Sequence, residues 1–248
     1  LPASLRLALI FAERSIDGYF QCNPHENTRQ YWTFTTITKN DIMLKIWGRL
    51  NSVNVQKVVL CADELGISYE RIDAGGAFGI VGTPEYLAKN PNGLIPVIED
   101  DGFVLWESNA IVRYLANRYG EGSLWPMDRE MRARADRWMD WQSGSFNPAI
   151  GPAFVQLVRT PAEKRDAAIV ESARVQTEQK MKLLDAHLAR TRYMAGEQFT
   201  MGDIPLFCSV DRWFKLPIAR ETHANVERWH RELSQRSGAR QVISGKLS

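Results

Sequence analysis

Three short stretches hold residue types whose chemistry depends on the elements around them. Ser52 stands just ahead of an apolar run that begins at Val53, with Asn54 two residues on. If that run is helical, a hydroxyl at its start lies where open backbone N–H groups and the positive dipole end favour an anion. The same position is more commonly used by a serine that merely caps its own helix. Glu107-Ser108 precedes a second run of helical pattern. There a carboxylate can pair with a cation while the hydroxyl and the helix start receive an anion, or the pair is a cap preceded by a surface acid. Ile95-Pro96 follows the turn signal Asn90-Pro91-Asn92-Gly93. A cis bond there costs only about 0.5–1 kcal/mol, though a trans proline at a strand start is the commoner event.

Other chemistries find little support. Cys22, Cys61 and Cys208 are widely spaced, odd in number and never in a C-x-x-C pair, so neither a dithiol motif nor a cysteine zinc site can be read. Cys61 and Cys208 read as small buried hydrophobes, and a reducing compartment, the cytoplasm, fits this usage. The four histidines form no pair at ligand spacing, so no metal is expected. A formal net charge of +2 on 248 residues gives no strong field for nucleic acid or an anionic membrane. No apolar run approaches the roughly 20 residues that span a bilayer. Residues 5–12 are mostly apolar but short and interrupted by Arg6, a poor match to a cleaved leader.

The elements that must position these residues begin at Met43, the first methionine. Residues 1–42 show no sustained period. They include the turn-rich 21–28 and the threonine-rich 33–38, and are expected to be an extension outside the fold. From there the pattern predicts a strand over 44–48, a helix over 53–65 closed by Gly66, and a strand over 69–74. A glycine-rich loop, to which only flexibility is assigned, leads to a short helix near 83–89. Strands over 97–99 and 104–106 flank Asp100-Asp101-Gly102, a hairpin cue, and a helix capped by Ser108 runs to Tyr119. The order βαβα–ββα implies a mixed sheet with helices on its faces, spanning 43–120.

After residues 120–126 strand patterns vanish, and 127–248 reads as an all-helical domain. A helix is expected over 128–144. A second, of about 30 residues, is expected to open at Thr160-Pro161-Ala162-Glu163 with Thr160 as cap. Thr200 and Asp203 form a capping box, with Phe199 and Ile204 placed for a hydrophobic staple. Each such cap contributes on the order of 1 kcal/mol.

Four features in this order resemble the cytosolic glutathione transferases, over the whole length from Met43. They are Asn51-Ser52-Val53-Asn54-Val55-Gln56-Lys57-Val58; Asn90-Pro91-Asn92-Gly93-Leu94-Ile95-Pro96-Val97; Leu105-Trp106-Glu107-Ser108-Asn109-Ala110-Ile111 with Tyr114-Leu115; and the box at 199–204. The resemblance implies a thioredoxin-like domain followed by a helical bundle. It further implies glutathione as co-substrate, a small hydrophobic electrophile as partner, and a homodimer by analogy. Ser52 resembles the catalytic serine of the serine-type classes. Asn54 resembles the asparagine of a bacterial Thr-Pro-Asn turn, although Val53 replaces the proline. Ile95 and Pro96 match the cis-proline contact to the cysteinyl backbone, and Glu107 and Ser108 match the γ-glutamyl contacts. Where several classes carry a histidine or lysine for the glycyl carboxylate, this chain has Gly93 and Leu94, leaving Lys89 or Lys57 to substitute. Trp138, Trp141, Phe146, Phe154 and Trp213 are candidates for the electrophile pocket, though aromatics at helical spacing are more often core.

A free thiol of pKa near 8.5 is about 3% ionised at pH 7, and lowering it by ~2 units requires roughly 2.7 kcal/mol. A charged hydrogen bond of about 1.5–3 kcal/mol with a dipole contribution of ~0.3–1 supplies that. Nucleophilicity falls as the pKa falls, so the net gain is only about a few-fold, and positioning must carry most of the acceleration. The same site would serve peroxide or disulfide reduction, or dehalogenation. A rival of another class is a non-catalytic interaction module on this fold.

Overall fold

The computed structural model describes residues 18–21, 33–36 and 44–247, and the chain divides into two compact units, Leu1–Met43 and Leu44–Ser248. In the first unit β1 (Gly18–Gln21) pairs antiparallel with β2 (Thr33–Thr36), Gly18 opposite Thr36 and Gln21 opposite Thr33. No sustained period announces this hairpin; β2 falls in the threonine-rich stretch, where β-branched side chains favour extended backbone. Cys22 and nearly all of the turn-rich segment 21–28 lie outside the described residues.

The second unit opens with β3 (Leu44–Trp47), α1 (Val53–Leu65), β4 (Tyr69–Ile72) and the single turn α2 (Pro84–Leu87). It continues with β5 (Val97–Asp100), β6 (Phe103–Trp106) and α3 (Ser108–Tyr119). The sheet order is β4-β3-β5-β6, with β3 and β4 parallel and the other two pairs antiparallel. This is the mixed sheet expected from a crossover followed by a hairpin. Asp101 and Gly102 both have positive φ, 51° and 79°, the two-residue turn whose twist suits a hairpin. Buried Asp100 accepts from the hydroxyls of Tyr114 at 2.8 Å and Tyr119 at 2.8 Å, fastening the hairpin to α3.

Helix α1 is buried on nearly every side, Gln56 and Lys57 included, because it lies against the sheet, α3 and a helix of the second half. Gly66 ends it in the left-handed conformation, φ 63°, its N–H reaching the carbonyls of Ala62 and Asp63. Gly48 at the β3–α1 junction has φ 150°, and a Cβ there would lie 2.5 Å from Val55 Cγ2. Only glycine lets the strand turn this closely into α1.

The remainder is helical: α4 (Arg129–Trp141), α5 (Asn147–Phe154), α6 (Ala167–Leu188), α7 (Asp203–Lys215), α8 (Ala224–Ser234) and α9 (Arg240–Ser244). Asp128 caps α4, accepting from Met131 N at 2.7 Å. The helix expected over 128–144 gives way to a π-turn, Gln142–Phe146, that leads into α5. The helix expected to open at Thr160 opens instead at Asp166, whose carboxylate accepts from Ala168 N at 2.8 Å and Ile169 N at 3.3 Å. Thr160 ends the preceding π-turn, Val155–Arg159, with its hydroxyl donating to Val155 O, so its side chain is not available as a cap.

Asp203 and Thr200 form the predicted box. Asp203 Oδ2 accepts from Thr200 N at 3.0 Å, and Thr200 Oγ1 accepts from Gly202 N at 3.3 Å. Asp203 Oδ1 also takes Met194 N at 2.9 Å and Trp229 Nε1 at 3.0 Å, so one buried carboxylate joins α7 to α8 and the α6–α7 loop. A Cβ on Gly202 would come 2.7 Å from Ala135 O, the closeness with which α7 starts against α4. Among the described residues no helix is long and apolar enough to cross a membrane.

Candidate functional site

Ser52 is the N-cap of α1 by backbone, φ −84° and ψ 124°, but its side chain makes no bond to the helix N–H groups. Thr83, Asp128 and Asp166 at equivalent positions all accept such bonds. The Ser52 hydroxyl and the first N–H groups of α1 therefore stay open to a third party, with the dipole end behind them. Asn54, the second residue of α1, lines a cleft together with Asn90, Asn92, Leu94, Ile95, Pro96, Glu107 and Ser108. Ser52 is not among the lining residues; it borders them through Asn54.

The Ile95–Pro96 peptide is cis. Leu94 O accepts from Tyr86 Oη at 2.8 Å and Asn90 Nδ2 at 2.8 Å, which fixes the segment entering the cis bond. Asn90 Oδ1 in turn accepts from Asn92 N at 3.0 Å. The Ile95 main chain has no hydrogen-bond partner among the described residues, so it presents a short strand edge to the cleft. The sequence assigns Asn90-Pro91-Asn92-Gly93 a turn and a place in the family resemblance but no contact of its own; Asn90 and Asn92 also line the cleft.

Glu107, not Ser108, occupies the N-cap of α3, and Ser108 is the first helical residue. Glu107 has φ 71° and ψ 108°. A non-glycine residue in this region costs about 1–3 kcal/mol and persists only where its surroundings demand it. The strain turns the chain sharply between β6 and α3 with an exposed acid directly beside a buried hydroxyl.

Beneath Ser108 lies a lysine with no ion pair among the described residues. Lys57 Nζ, on α1, donates to Gln142 Oε1 at 3.0 Å, Asn109 Oδ1 at 3.1 Å and Ser108 Oγ at 3.4 Å. Gln142 Nε2 continues to Ser209 Oγ at 2.8 Å, so the network crosses α1, α3, the π-turn and α7. Burial pushes Lys57 down to about 8, Arg212 adds to the fall, and Glu107 partly offsets it. Lys89 is paired with Glu99 at 3.0 Å and lies over the Trp47 ring. Neither lysine lines the cleft beside Gly93 and Leu94, so the glycyl substitutes suggested by sequence are engaged elsewhere.

The aromatic candidates are mostly core. Trp138, Phe146 and Trp213 are buried in the main hydrophobic cluster, and Trp141 packs partly buried against it. Trp138 meets Trp141 edge-on, centroids 5.3 Å apart, and Trp141 lies 5.7 Å from Phe146. Among the described residues Glu178, Glu221 and His223 bring ligand atoms within 4.8 Å of one another. His223 Nε2 bonds Glu178 at 2.7 Å and Glu221 pairs with Lys182 at 3.0 Å, an ion-pair cluster away from the cleft.

A four-stranded mixed sheet, a cis-proline edge and a helix start on each side of it define a thioredoxin-like binding domain with a helical partner domain. Family models agree. Residues 43–117 match the glutathione S-transferase N-terminal domain and residues 146–237 the C-terminal domain. The chain is 41% identical over 203 residues to glutathione S-transferase GstB of Escherichia coli K12, covering 81% of this chain and 98% of that protein. It is 29% identical over 209 residues to glutathione S-transferase F12 of Arabidopsis thaliana, 82% of this chain and 98% of the relative. The theta class glutathione S-transferase of Xanthomonas axonopodis pv. citri, solved with glutathione bound, superposes with a TM-score of 0.80 at 42% identity. That match covers 83% of this chain and 99% of the other. The chain belongs to the glutathione S-transferase family.

Proposed function

We propose that this protein is a glutathione transferase in which Ser52, assisted by Asn54, stabilises the glutathione thiolate at the start of α1. The single observation that carries the assignment is the cleft itself. It gathers Asn54, the cis Ile95–Pro96 edge, Glu107 and Ser108 from four separate segments around one opening. Each group then has a chemical task. Glu107 pairs with the γ-glutamyl ammonium, and Ser108 with the N–H groups of α3 takes the γ-glutamyl carboxylate. The Ile95 main chain bonds the cysteinyl unit in strand fashion. The thiol is thereby carried to the open Ser52 hydroxyl, which donates to the sulfur and favours its ionised form. Asn90 and Asn92 are the polar groups nearest the glycyl end.

Lys57 acts from beneath. Its ammonium bonds Ser108 Oγ, leaves that hydroxyl's proton for the substrate carboxylate, and supplies the positive potential that the carboxylate meets. The thiolate attacks a small electrophile, a carbon–sulfur bond forms, and the leaving group departs with its electron pair. The enzyme works as a homodimer in the cytoplasm, needs glutathione as co-substrate, and needs no metal.

Calorimetric titration of the full chain with glutathione tests this, alongside Ser52→Ala and Glu107→Ala. Binding is expected to be lost in Glu107→Ala. It is expected to persist in Ser52→Ala with the bound thiol pKa raised by about 1–2 units, the worth of one charged hydrogen bond. A folded parent protein that binds no glutathione would remove the transferase assignment and leave the interaction module in its place.

A further inference from the structure

The glycine-rich loop between β4 and α2 packs against the cleft, and its residue types bear on what the far end of the cleft receives. A Cβ on Gly75 would sit 3.2 Å from Ile95 Cδ1, and one on Gly93 would sit 3.2 Å from Val81 O. The loop is therefore laid along residues 93–95, which enter the cis bond. Gly75, Gly76, Gly79 and Ile80 all have positive φ in this arrangement, Ile80 at 70°. A β-branched residue adopts that conformation only where its surroundings demand it.

This end of the cleft is neutral. Residues 75–83 read Gly-Gly-Ala-Phe-Gly-Ile-Val-Gly-Thr and residues 90–94 read Asn-Pro-Asn-Gly-Leu, with no ionisable side chain in either. Of the residues that line the cleft, Glu107 carries a charge, and that charge is negative. Glu85, just after the loop in α2, is an acid too. Lys89 is held by Glu99 at 3.0 Å. Arg49, whose Nε would lie 2.9 Å from a Cβ on Gly76, donates to Asn51 Oδ1 at 2.6 Å, on the Ser52 side of the loop. The rim offers apolar surface instead. Leu94 lines the cleft and is 63% exposed, while Phe78 and Ile80 on the loop are 52% and 38% exposed.

A free carboxylate placed here gives up water on its apolar side and meets no cation among the described residues. A neutral carbonyl gives up less and still finds the side-chain amides of Asn90 and Asn92. An alkyl extension gains further by covering Leu94. We propose that this transferase takes γ-glutamylcysteinyl thiols with a neutral C-terminus, glutathione amidated or esterified at its glycine, and binds them at least as tightly as glutathione. The inference rests on the transferase assignment above and concerns the glycyl end alone. The γ-glutamyl and cysteinyl contacts that carry the sulfur to Ser52 are unchanged by it.

Calorimetric titration of the full chain compares S-methylglutathione with its glycyl amide and its glycyl ethyl ester, ligands that differ at that end alone. The amide is expected to bind as tightly as the acid or more so. The ester should bind about fourfold more tightly than the acid, the value of roughly one CH2 group covered at the rim. Leu94→Lys sets a cation on the rim. The position is exposed, and Tyr86 and Asn90 hold its main-chain carbonyl, so the exchange leaves those bonds in place. This variant should bind the acid about twofold to fivefold more tightly than the parent does, as one exposed ion pair allows, and the amide within about twofold.

An amide bound less tightly than the acid would mean that a cation reads the glycyl carboxylate, and would overturn the proposal while leaving the transferase standing. An acid-to-amide ratio unchanged in Leu94→Lys would overturn it too, by putting the glycyl end away from Leu94. If the folded parent binds none of the three ligands, the transferase assignment itself fails, and the proposal with it.

Discussion

Lys57 gives the sharpest quantitative prediction, because among the described residues it is a buried ammonium bonded to neutral groups alone. Burial moves it from its ordinary 10.5 down to about 8 in the folded protein. The unfolded chain therefore binds more protons than the folded one between those values, and this site's contribution to stability rises with pH. The cost to the folded state is about 3.3 kcal/mol at pH 7 and about 2.0 at pH 9, from the two pKa values and 1.36 kcal/mol per unit. Lys57→Met abolishes that cost but leaves Asn109 Oδ1 without its donor, a loss of about 1–3 kcal/mol, whereas Gln142 Oε1 keeps Asn109 Nδ2 at 3.3 Å. At pH 7 the two effects nearly cancel, so a single-pH measurement decides nothing.

The pH dependence does decide. Urea denaturation followed by tryptophan fluorescence, at pH 7, 8 and 9, should show the parent gaining about 1.3 kcal/mol on the variant over that interval. Tyr69, Tyr86 and Tyr114, pushed up to about 12 mainly by burial, lower stability at higher pH but do so in both proteins. A difference between parent and variant that stays flat from pH 7 to 9 would refute the reasoning, because Lys57 would then titrate alike in both states.

Further outcomes follow from the same structure. S-methylglutathione, which has no thiol to ionise, should take up a fraction of a proton on binding at pH 8 and almost none at pH 6.5. Its carboxylate at Ser108 raises Lys57, and calorimetry in two buffers of different ionisation enthalpy reads the uptake. Asp203→Ala removes the acceptor of Met194 N, Thr200 N and Trp229 Nε1 and should cost about 3 kcal/mol or more. For a chain of this size that is a fall in Tm of roughly 6–12 °C, seen in a thermal melt. Cys61 and Cys208 are fully buried, and burial pushes Cys61 well up and Cys208 up to about 12. Both should escape a thiol reagent in the native protein and label only after unfolding, as peptide mapping would reveal.

Much of the first half was legible because its signals are local. The alternation at 44–47, the glycine closing α1 and the Asp-Gly turn each act through a few adjacent residues, and the folded chain keeps them. The order of these elements, with Asn-Pro-x-Gly before Ile95-Pro96 and Glu107-Ser108 before α3, carried the family resemblance. The start of α6 was misread because two competent caps lie six residues apart. The choice of Asp166 over Thr160 depends on the π-turn that holds Thr160 against Val155 O. A π-turn has no strong sequence signature.

The sequence by itself determined the residue types, their order and the strand–helix alternation that suits them to an anionic tripeptide, since propensities, caps and turns are short-range. Only the tertiary structure decided which polar groups are free. It left the Ser52 hydroxyl off its own helix while three other caps are engaged, and it tied Lys89 to Glu99. It also buried Lys57 beneath Ser108. It sent Trp138, Phe146 and Trp213 into the core as well. Burial and charge proximity are properties of the packed chain, because they depend on which distant segments exclude water from a group and which charges they bring within reach.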